Sequence, residues 1–493
     1  MFSFDLSGDL MLLLSILVFV AVLSNKIGTK FGVPSMLVFL VIGMLAGQDG
    51  LGLKFDNLHM AEFVSHLGMT VILLTGGLET EMEETRPVLK QGILLSTVGV
   101  LLTILLTGGF IYFAIGKSIG GVATSLMGAM LIAAVLSSTD STAVFSILRS
   151  KRLQLRENLG PMLELESGSN DPMAYISTII LVKVVSGVEI IRLGLPDWSV
   201  GLQVVVVLIY QIAAGFFVGW LVGRFARWLF PKVDLKSSPM ISIMVLSLAF
   251  FANGFGSLIG GNGLLALYVA AIIMGNSPTL PQKKEVLKFF DGISWLAQLL
   301  MVLILGILAH PSHIPPVLVP ALMIGLFLLF VARPAAVFMT LLPYHKLPVR
   351  AKLFISWVGL KGAGPILFAL YTVVHEVGGS SEIFNVVLVI TLLSLLFQGM
   401  SLPLVAKWLN LSIDEDPEVE TFGLDLPEEM GMMRDHVIGE ADLQGGATLR
   451  DLHLPHGIRV IMVKRGERFL VPHGSMKLEV DDHLLIMMGE TDD

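Results

Sequence analysis

Residues 130–148 read MLIAAVLSSTDSTAVFSIL. Apolar side chains fill both ends, and Ser137, Ser138, Thr139, Asp140, Ser141 and Thr142 interrupt the run near its middle. Short hydroxyl and carboxyl side chains compete for backbone hydrogen bonds, so such a run tolerates local unwinding. Unwound backbone at membrane depth is allowed only where it is buried in protein or lines a cavity. Its carbonyl and hydroxyl oxygens would then be hard ligands suited to an alkali cation. A second reading makes Asp140 a helix cap inside a packed bundle, structural and still indispensable.

The rest of the chain says whether this segment lies in a membrane. Of 493 residues, 54% are apolar and 15% charged, against about 25% charged in ordinary soluble proteins. That excludes a cytosolic globular protein and a disordered one. With no cysteine, disulfides, thiol chemistry and Cys-ligated metals are excluded too. A span needs about 20 mostly apolar residues. Thirteen windows qualify, near 9–25, 32–48, 62–78, 92–116, 121–149, 160–187, 199–223, 238–256, 262–276, 286–308, 315–342, 353–375 and 383–406. The first 410 residues hold 25 Lys and Arg against 21 Asp and Glu, whereas residues beyond 410 hold 7 against 19. A basic membrane body therefore precedes an acidic soluble tail.

With thirteen spans the termini lie on opposite sides. One set of alternating connections carries 19 basic residues, among them Lys26, Arg86, Lys90, Arg149, Arg156, Arg224, Lys283, Arg350 and Lys407. The other set carries 4: Lys54, Lys117, Lys183 and Arg192. The excess of Lys and Arg on the cytoplasmic side places the N-terminus outside and the tail in the cytoplasm.

Ionisable groups within spans are functional-site candidates by default. They are Arg333, Lys361, Asp140, Glu164, Glu166 and Asp171, with Glu79 and Asp291 nearer span edges. Residues 160–182 read GPMLELESGSNDPMAYISTIILV, with Glu166 to Asn170 and Ser167 to Asp171 at i,i+4 helical spacing. One helical face thus aims Ser167 and Asp171 at the interrupted segment. Residues 356–370, SWVGLKGAGPILFAL, form a second span broken by Gly and Pro. The two broken spans are seven apart and run in opposite directions, which points to inverted repeats and a site between them.

In this order and spacing the motifs resemble a known family. Ser138-Thr139-Asp140, Glu166-Ser167 followed by Asn170-Asp171-Pro172, Arg333-Pro334, and Gly359-Leu360-Lys361-Gly362-Ala363 look like the sodium/proton and potassium/proton exchangers of the NhaP/NHE type. The resemblance covers about residues 10–410. It implies an all-α polytopic fold of about thirteen helices with two broken crossing helices, working as a homodimer. It also implies that Asp171 alternately binds proton and cation, and that Thr139, Asp140, Ser167 and Asn170 shape the site. Glu166 and Arg333 would form a structural ion pair, and Lys361 a gating residue or a counter-charge to helix dipoles. The implied partners are monovalent cations, potassium favoured over sodium, protons and the lipid bilayer, with no cofactor and no nucleic acid.

Three positions depart from the family pattern. Ser141 follows Asp140 where a proline is usual, Thr75 stands where some members carry an acid before Gly-Gly-Leu, and Lys361 replaces an arginine. The last change keeps the charge and loses the planar guanidinium fork.

Residues 411–430, with Asp414, Glu415, Asp416, Pro417, Glu418 and Glu420, read as an acidic linker. Beyond it, 459–464, 468–471 and 483–488 alternate or cluster apolar residues as short strands, with Gly466-Glu467 offering a hairpin turn. The stretch from Val437 to Glu490 resembles the C-terminal lobe of RCK regulatory domains. The resemblance implies a small α/β cytoplasmic module over 431–493 that dimerises or binds a small effector.

The function expected is exchange of one monovalent cation for one proton across the inner membrane, by alternating access, with Asn170 rather than a second acid beside Asp171. A tail-regulated cation channel is the alternative, although no TVGYG-like carbonyl filter is present. An intramembrane hydrolase built on an Asp140–Asp171 dyad is a third reading.

Overall fold

The computed structural model describes residues 8–30, 33–53, 57–116, 121–151, 153–188, 200–233, 237–414, 433–439, 442–443, 448–452, 458–466 and 468–488. The chain divides into two units, Met1–Ile413 and Asp414–Asp493.

The first unit is mainly helical and includes a short strand, Leu153–Leu155. Its elements are α1 Gly8–Lys30, α2 Ser35–Ala46, α3 Leu58–Glu79, α4 Met82–Ile115, α5 Leu126–Val135, α6 Ser141–Ser150 and α7 Leu159–Val185. They continue as α8 Val200–Leu229, α9 Ser238–Leu258, α10 Gly263–Gly275, α11 Lys283–Ile307, α12 Pro311–Thr340, α13 Val349–Trp357, α14 Ala363–Val374 and α15 Ser380–Trp408. Seven of these are long and apolar enough to cross a membrane: α3, α4, α8, α9, α11, α12 and α15. Windows 121–149 and 353–375 each hold two half-helices, α5–α6 and α13–α14, so both sequence interruptions are real breaks in the helix.

The helices pack mainly within two bundles. The first contains α1 to α3 and α8 to α11, and the second α4 to α7 and α12 to α15. Apolar chains feel little hydrophobic drive to associate in lipid, so close backbone contact between small residues holds such bundles together. Gly43 on α2 and Gly306 on α11 illustrate this: a Cβ built on either would lie 2.9 Å from the Cα of the other. The bundles meet where α3 and α11 touch α14 and where α10 touches α7.

The second unit contains a four-stranded antiparallel sheet, with β1 Met433–Val437, β2 Ile458–Arg465, β3 Arg468–Leu470 and β4 His483–Met488 in the order β1-β4-β2-β3. Val437 pairs with His483, Ile458 with Met488 and Arg465 with Arg468. Gly466, at φ +59°, turns the β2–β3 hairpin where the sequence offered one. Ile438, Val463, Leu478, Leu484 and Ile486 form its core. Among the described residues of this unit the regular structure is all strand. The 411–430 linker reading falls mostly outside the described residues.

Candidate functional site between two broken helices

Ending a helix exposes carbonyls at one end and N–H groups at the other, all needing partners. Here the two breaks supply partners to each other. The Asp140 N–H donates to the Leu360 carbonyl at 2.9 Å. Lys361 Nζ donates to the Ser138 carbonyl at 2.9 Å, just past the C-terminal end of α5. A cation there complements the negative end of a helix dipole. Asp140 lies at the start of α6, and its Oδ1 accepts the Ala143 N–H at 3.1 Å as a helix cap. Neighbouring side chains secure the second break, with the Lys361 N–H donating to Ser394 Oγ at 2.9 Å and Gln398 Nε2 to the Trp357 carbonyl at 2.9 Å.

Helix α7 lies against this crossing with the face that the i,i+4 spacing defines. Ser167 Oγ donates to the Thr139 carbonyl at 2.8 Å and accepts the Ser141 N–H at 2.9 Å. Asn170 Nδ2 reaches Thr139 Oγ1 at 2.5 Å, and Ser138 Oγ donates to Asp171 Oδ1. Next to Asp171, the Pro172 carbonyl accepts from Asn262 Nδ2 of the other bundle at 3.0 Å.

Glu166, one turn before Asn170, is engaged with α12 instead. Its Oε1 sits 2.5 Å from Arg333 Nη2 on α12, and the two side chains are 2% and 7% exposed. Neither residue lines the cavity that holds Asp171. The structure therefore separates the candidates into two groups. Ser138, Thr139, Asp140, Ser167, Asn170, Asp171 and Lys361 surround the crossing, while Glu166 and Arg333 tie α7 to α12 behind it.

A cavity of about 210 Å³ lies between the bundles with Asp140 and Asp171 in its wall. Glu79, Glu164 and Asp291 also line it, and no Lys or Arg does so among the described residues. Several carboxyl groups in one narrow cleft focus a field that concentrates cations. On the first bundle its wall includes Thr75, Gly76, Tyr268, Trp295 and Gln298. Thr75 donates its hydroxyl to the Val71 carbonyl at 3.0 Å. One turn beyond Asp171 lies an aromatic layer, with the Tyr175 ring 5.6 Å from His66, 5.7 Å from Phe368 and 6.2 Å from Tyr371.

Two features of this cavity were not read from the sequence. Tyr268 packs so closely on α7 that a Cβ on Gly168 would meet its hydroxyl at 2.5 Å. Its only sequence signal is one aromatic in a small-residue helix, which normally means core. Asn262 looks like a turn residue, and nothing local announces its bond to α7. Glu79, named from the sequence as an ionisable group near a span edge, does line the cavity, while its neighbours Glu81, Glu83 and Glu84 are exposed.

Two interrupted helices crossing at a cavity lined by carboxylates define a membrane transporter rather than a pore or an enzyme pocket. The transmembrane sodium/hydrogen exchanger family model matches residues 13–408 and the TrkA-C domain model matches 446–492. The chain belongs to the sodium/hydrogen exchanger family, a family of transporters and not of enzymes. It is 34% identical over 489 residues to the K(+)/H(+) antiporter NhaP of Alkalimonas amylolytica, covering 98% of this chain and 81% of that one. It is 32% identical over 489 residues to the K(+)/H(+) antiporter NhaP2 of Shewanella sp. (strain ANA-3), covering 99% and 82%. The fold is similar to that of the sodium proton antiporter MjNhaP1 from Methanocaldococcus jannaschii, with a TM-score of 0.66 and 21% identity over 80% of this chain and 100% of that one.

Proposed function

We propose that this protein exchanges one monovalent cation for one proton, with Asp171 as the carboxylate that carries either. The observation supporting this is the position of Asp171, beside the crossed breaks, bound by Ser138 and lining a cleft of carboxylates between two bundles. The Asp171 carboxyl group can be ionised and empty, protonated, or paired with a cation. Carried ionised and empty past an apolar barrier, it would be an uncompensated buried charge, at a cost of several kcal/mol. Carried with a proton or a cation it is neutral. That difference couples the two fluxes with no covalent chemistry.

Thr139, Ser167 and Asn170 hold the unwound segment in place, and the oxygens gathered there are suited to an alkali cation. Asp140 is engaged as the cap of α6, and Asn170 is no acid, so one carboxylate titrates per cycle and exchange is electrically silent. The named activities of the NhaP and NhaP2 relatives favour potassium over sodium. With the tail in the cytoplasm, the cavity mouth at Glu79, Glu164 and Asp291 faces the cytoplasm, and the aromatic layer around Tyr175 closes the outer side. Movement of the α4–α7 and α12–α15 bundle against the other would expose Asp171 alternately. The first bundle would hold a homodimer together in the inner membrane, and the tail module would take a small effector.

Proteoliposomes carrying an internal pH dye test the reading. Potassium pulses should drive proton movement faster than sodium or lithium pulses, at a rate independent of an imposed membrane potential. Net cation uptake driven by potential alone would overturn one-for-one exchange.

A further inference from the structure

A second cavity, of about 390 Å³, opens between α12 and α15 and shares no lining residue with the carboxylate cleft. Its size falls within the range of roughly 300–1,000 Å³ usual for small-molecule sites. The rim is apolar and outward-facing, with Leu326, Phe330 and Phe397 exposed by 54%, 60% and 63%. On a membrane helix such a face meets lipid, so the cavity is entered from the bilayer.

The floor is polar. Arg333, 5% exposed, lies there with Lys361, Ser394 and Gln398. Nη2 of Arg333 is taken by Glu166, but the buried Nε has no hydrogen-bond partner among the described residues. A buried N–H left unpaired is costly, and native structures rarely keep one without a reason. Gly359 lines the same floor, and a Cβ built on it would stand 3.2 Å from Nε. The glycine thus leaves the donor uncovered. Both flanking helices carry a π-helical turn at the cavity, Leu328–Ala332 and Ser394–Gly399, a distortion common at functional sites.

We infer that this cavity binds a small uncharged lipophile bearing a carbonyl-type hydrogen-bond acceptor, drawn from the membrane interior and docked on Arg333 Nε. Glu166 already neutralises Arg333 and Lys361 Nζ is held by the Ser138 carbonyl, so the free N–H calls for a neutral acceptor rather than a second anion, and a plain hydrocarbon chain offers nothing to it. The floor also leads to the crossing. The Lys361 N–H donates to Ser394 Oγ, which donates to Gln398, and Lys361 Nζ donates to the Ser138 carbonyl. Lys361, on the floor beside the occupant, is therefore one hydrogen bond from Ser138, the partner of Asp171.

Trp357 lines this cavity and is one of 6 tryptophans in the chain, so the fluorescence lost in Trp357→Phe isolates its signal. Full-length protein in vesicles of unbrominated phospholipid is titrated with 11-bromo-2-undecanone, with 1-bromoundecane, or with a phospholipid brominated along its acyl chain. The ketone should quench Trp357 saturably, with a half-saturating mole fraction at least about tenfold below that of the alkane. Gly325→Leu, which fills the cavity, should abolish the saturable component, and Gly359→Ala, which covers Nε, should abolish the preference for the ketone. Equal quenching by ketone and alkane, saturation by the brominated phospholipid, or a ketone preference surviving Gly325→Leu would each overturn the proposal. Because quenching reads occupancy, the result is independent of whether the protein exchanges cations.

Discussion

The N–H of Asp140 donates to the carbonyl of Leu360 at 2.9 Å, although the two residues are 220 positions apart and stand at breaks in different helices. Each break is stable because the other is present. The contact leaves no room around it: a Cβ built on Gly362 overlaps the Asp140 carboxyl group. Gly362→Ala should therefore cut exchange by at least about tenfold, the effect of roughly 1.4 kcal/mol, in protein that still extracts and elutes as folded. Wild-type exchange rates in dye-loaded proteoliposomes would show that the crossing does not set the geometry of the site.

The Glu166–Arg333 pair makes a prediction about stability. Removing one partner leaves a buried charge alone, which costs about 3–5 kcal/mol, whereas replacing both with apolar groups is often nearly neutral. Arg333→Met alone should lower the melting temperature in detergent markedly. The double variant Glu166→Leu/Arg333→Met should recover most of the loss. Equal losses in both proteins would show that the guanidinium does more than neutralise Glu166.

Tyr268 and Gly168 press the two bundles together beside Asp171. Gly168→Ala should slow exchange because its methyl group meets the Tyr268 ring. Adding Tyr268→Leu should restore part of the rate, a coupling of about 0.5–3 kcal/mol expected for residues in contact. If the two losses simply add, the contact does not limit the motion.

The tail carries its own pH dependence. Asp482 is 1% exposed. Desolvation alone would raise its pKa, but the side-chain bonds from Arg465 Nε at 2.8 Å and Nη2 at 2.7 Å, together with the Glu479 N–H at 2.8 Å, hold it below the usual carboxylate value. A depressed folded pKa adds stability that is present above the unfolded value, near about 4, and is lost as pH falls through the folded one. Amide exchange of the His483–Met488 strand in the full chain should stay slow at neutral pH and accelerate in acid below about pH 4. In Asp482→Asn that acid dependence should shrink; an unchanged acid limb would assign it to another group.

What could be read in advance follows from which forces act along the chain and which act across it. The breaks at 137–142 and 358–364 are written locally, in hydroxyl, glycine and proline residues that cannot sustain an apolar helix. The face of α7 is equally local, because i,i+4 spacing alone places Ser167 beside Asp171. Asn262 caps α10 locally, but its bond to Pro172, 90 residues away, and the contact of Tyr268 with Gly168, 100 residues away, act across the bundle boundary. Glu79 stands out in the sequence as an ionisable group near a span edge, and the fold adds that it lines the cleft while Glu81, Glu83 and Glu84 do not. In the tail, β2 to β4 were legible from alternation, while Met433–Val437, mixed in polarity as MRDHV, is a strand only because β4 pairs with it.

The central claim is that Asp171 carries both ions. The most direct measurement compares wild type with Asp171→Asn in dye-loaded proteoliposomes given a potassium pulse, with folding of the variant checked by its melting temperature. The account predicts proton movement in the wild type and none in a folded Asp171→Asn protein. Potassium-driven proton movement that persists in that variant would contradict it.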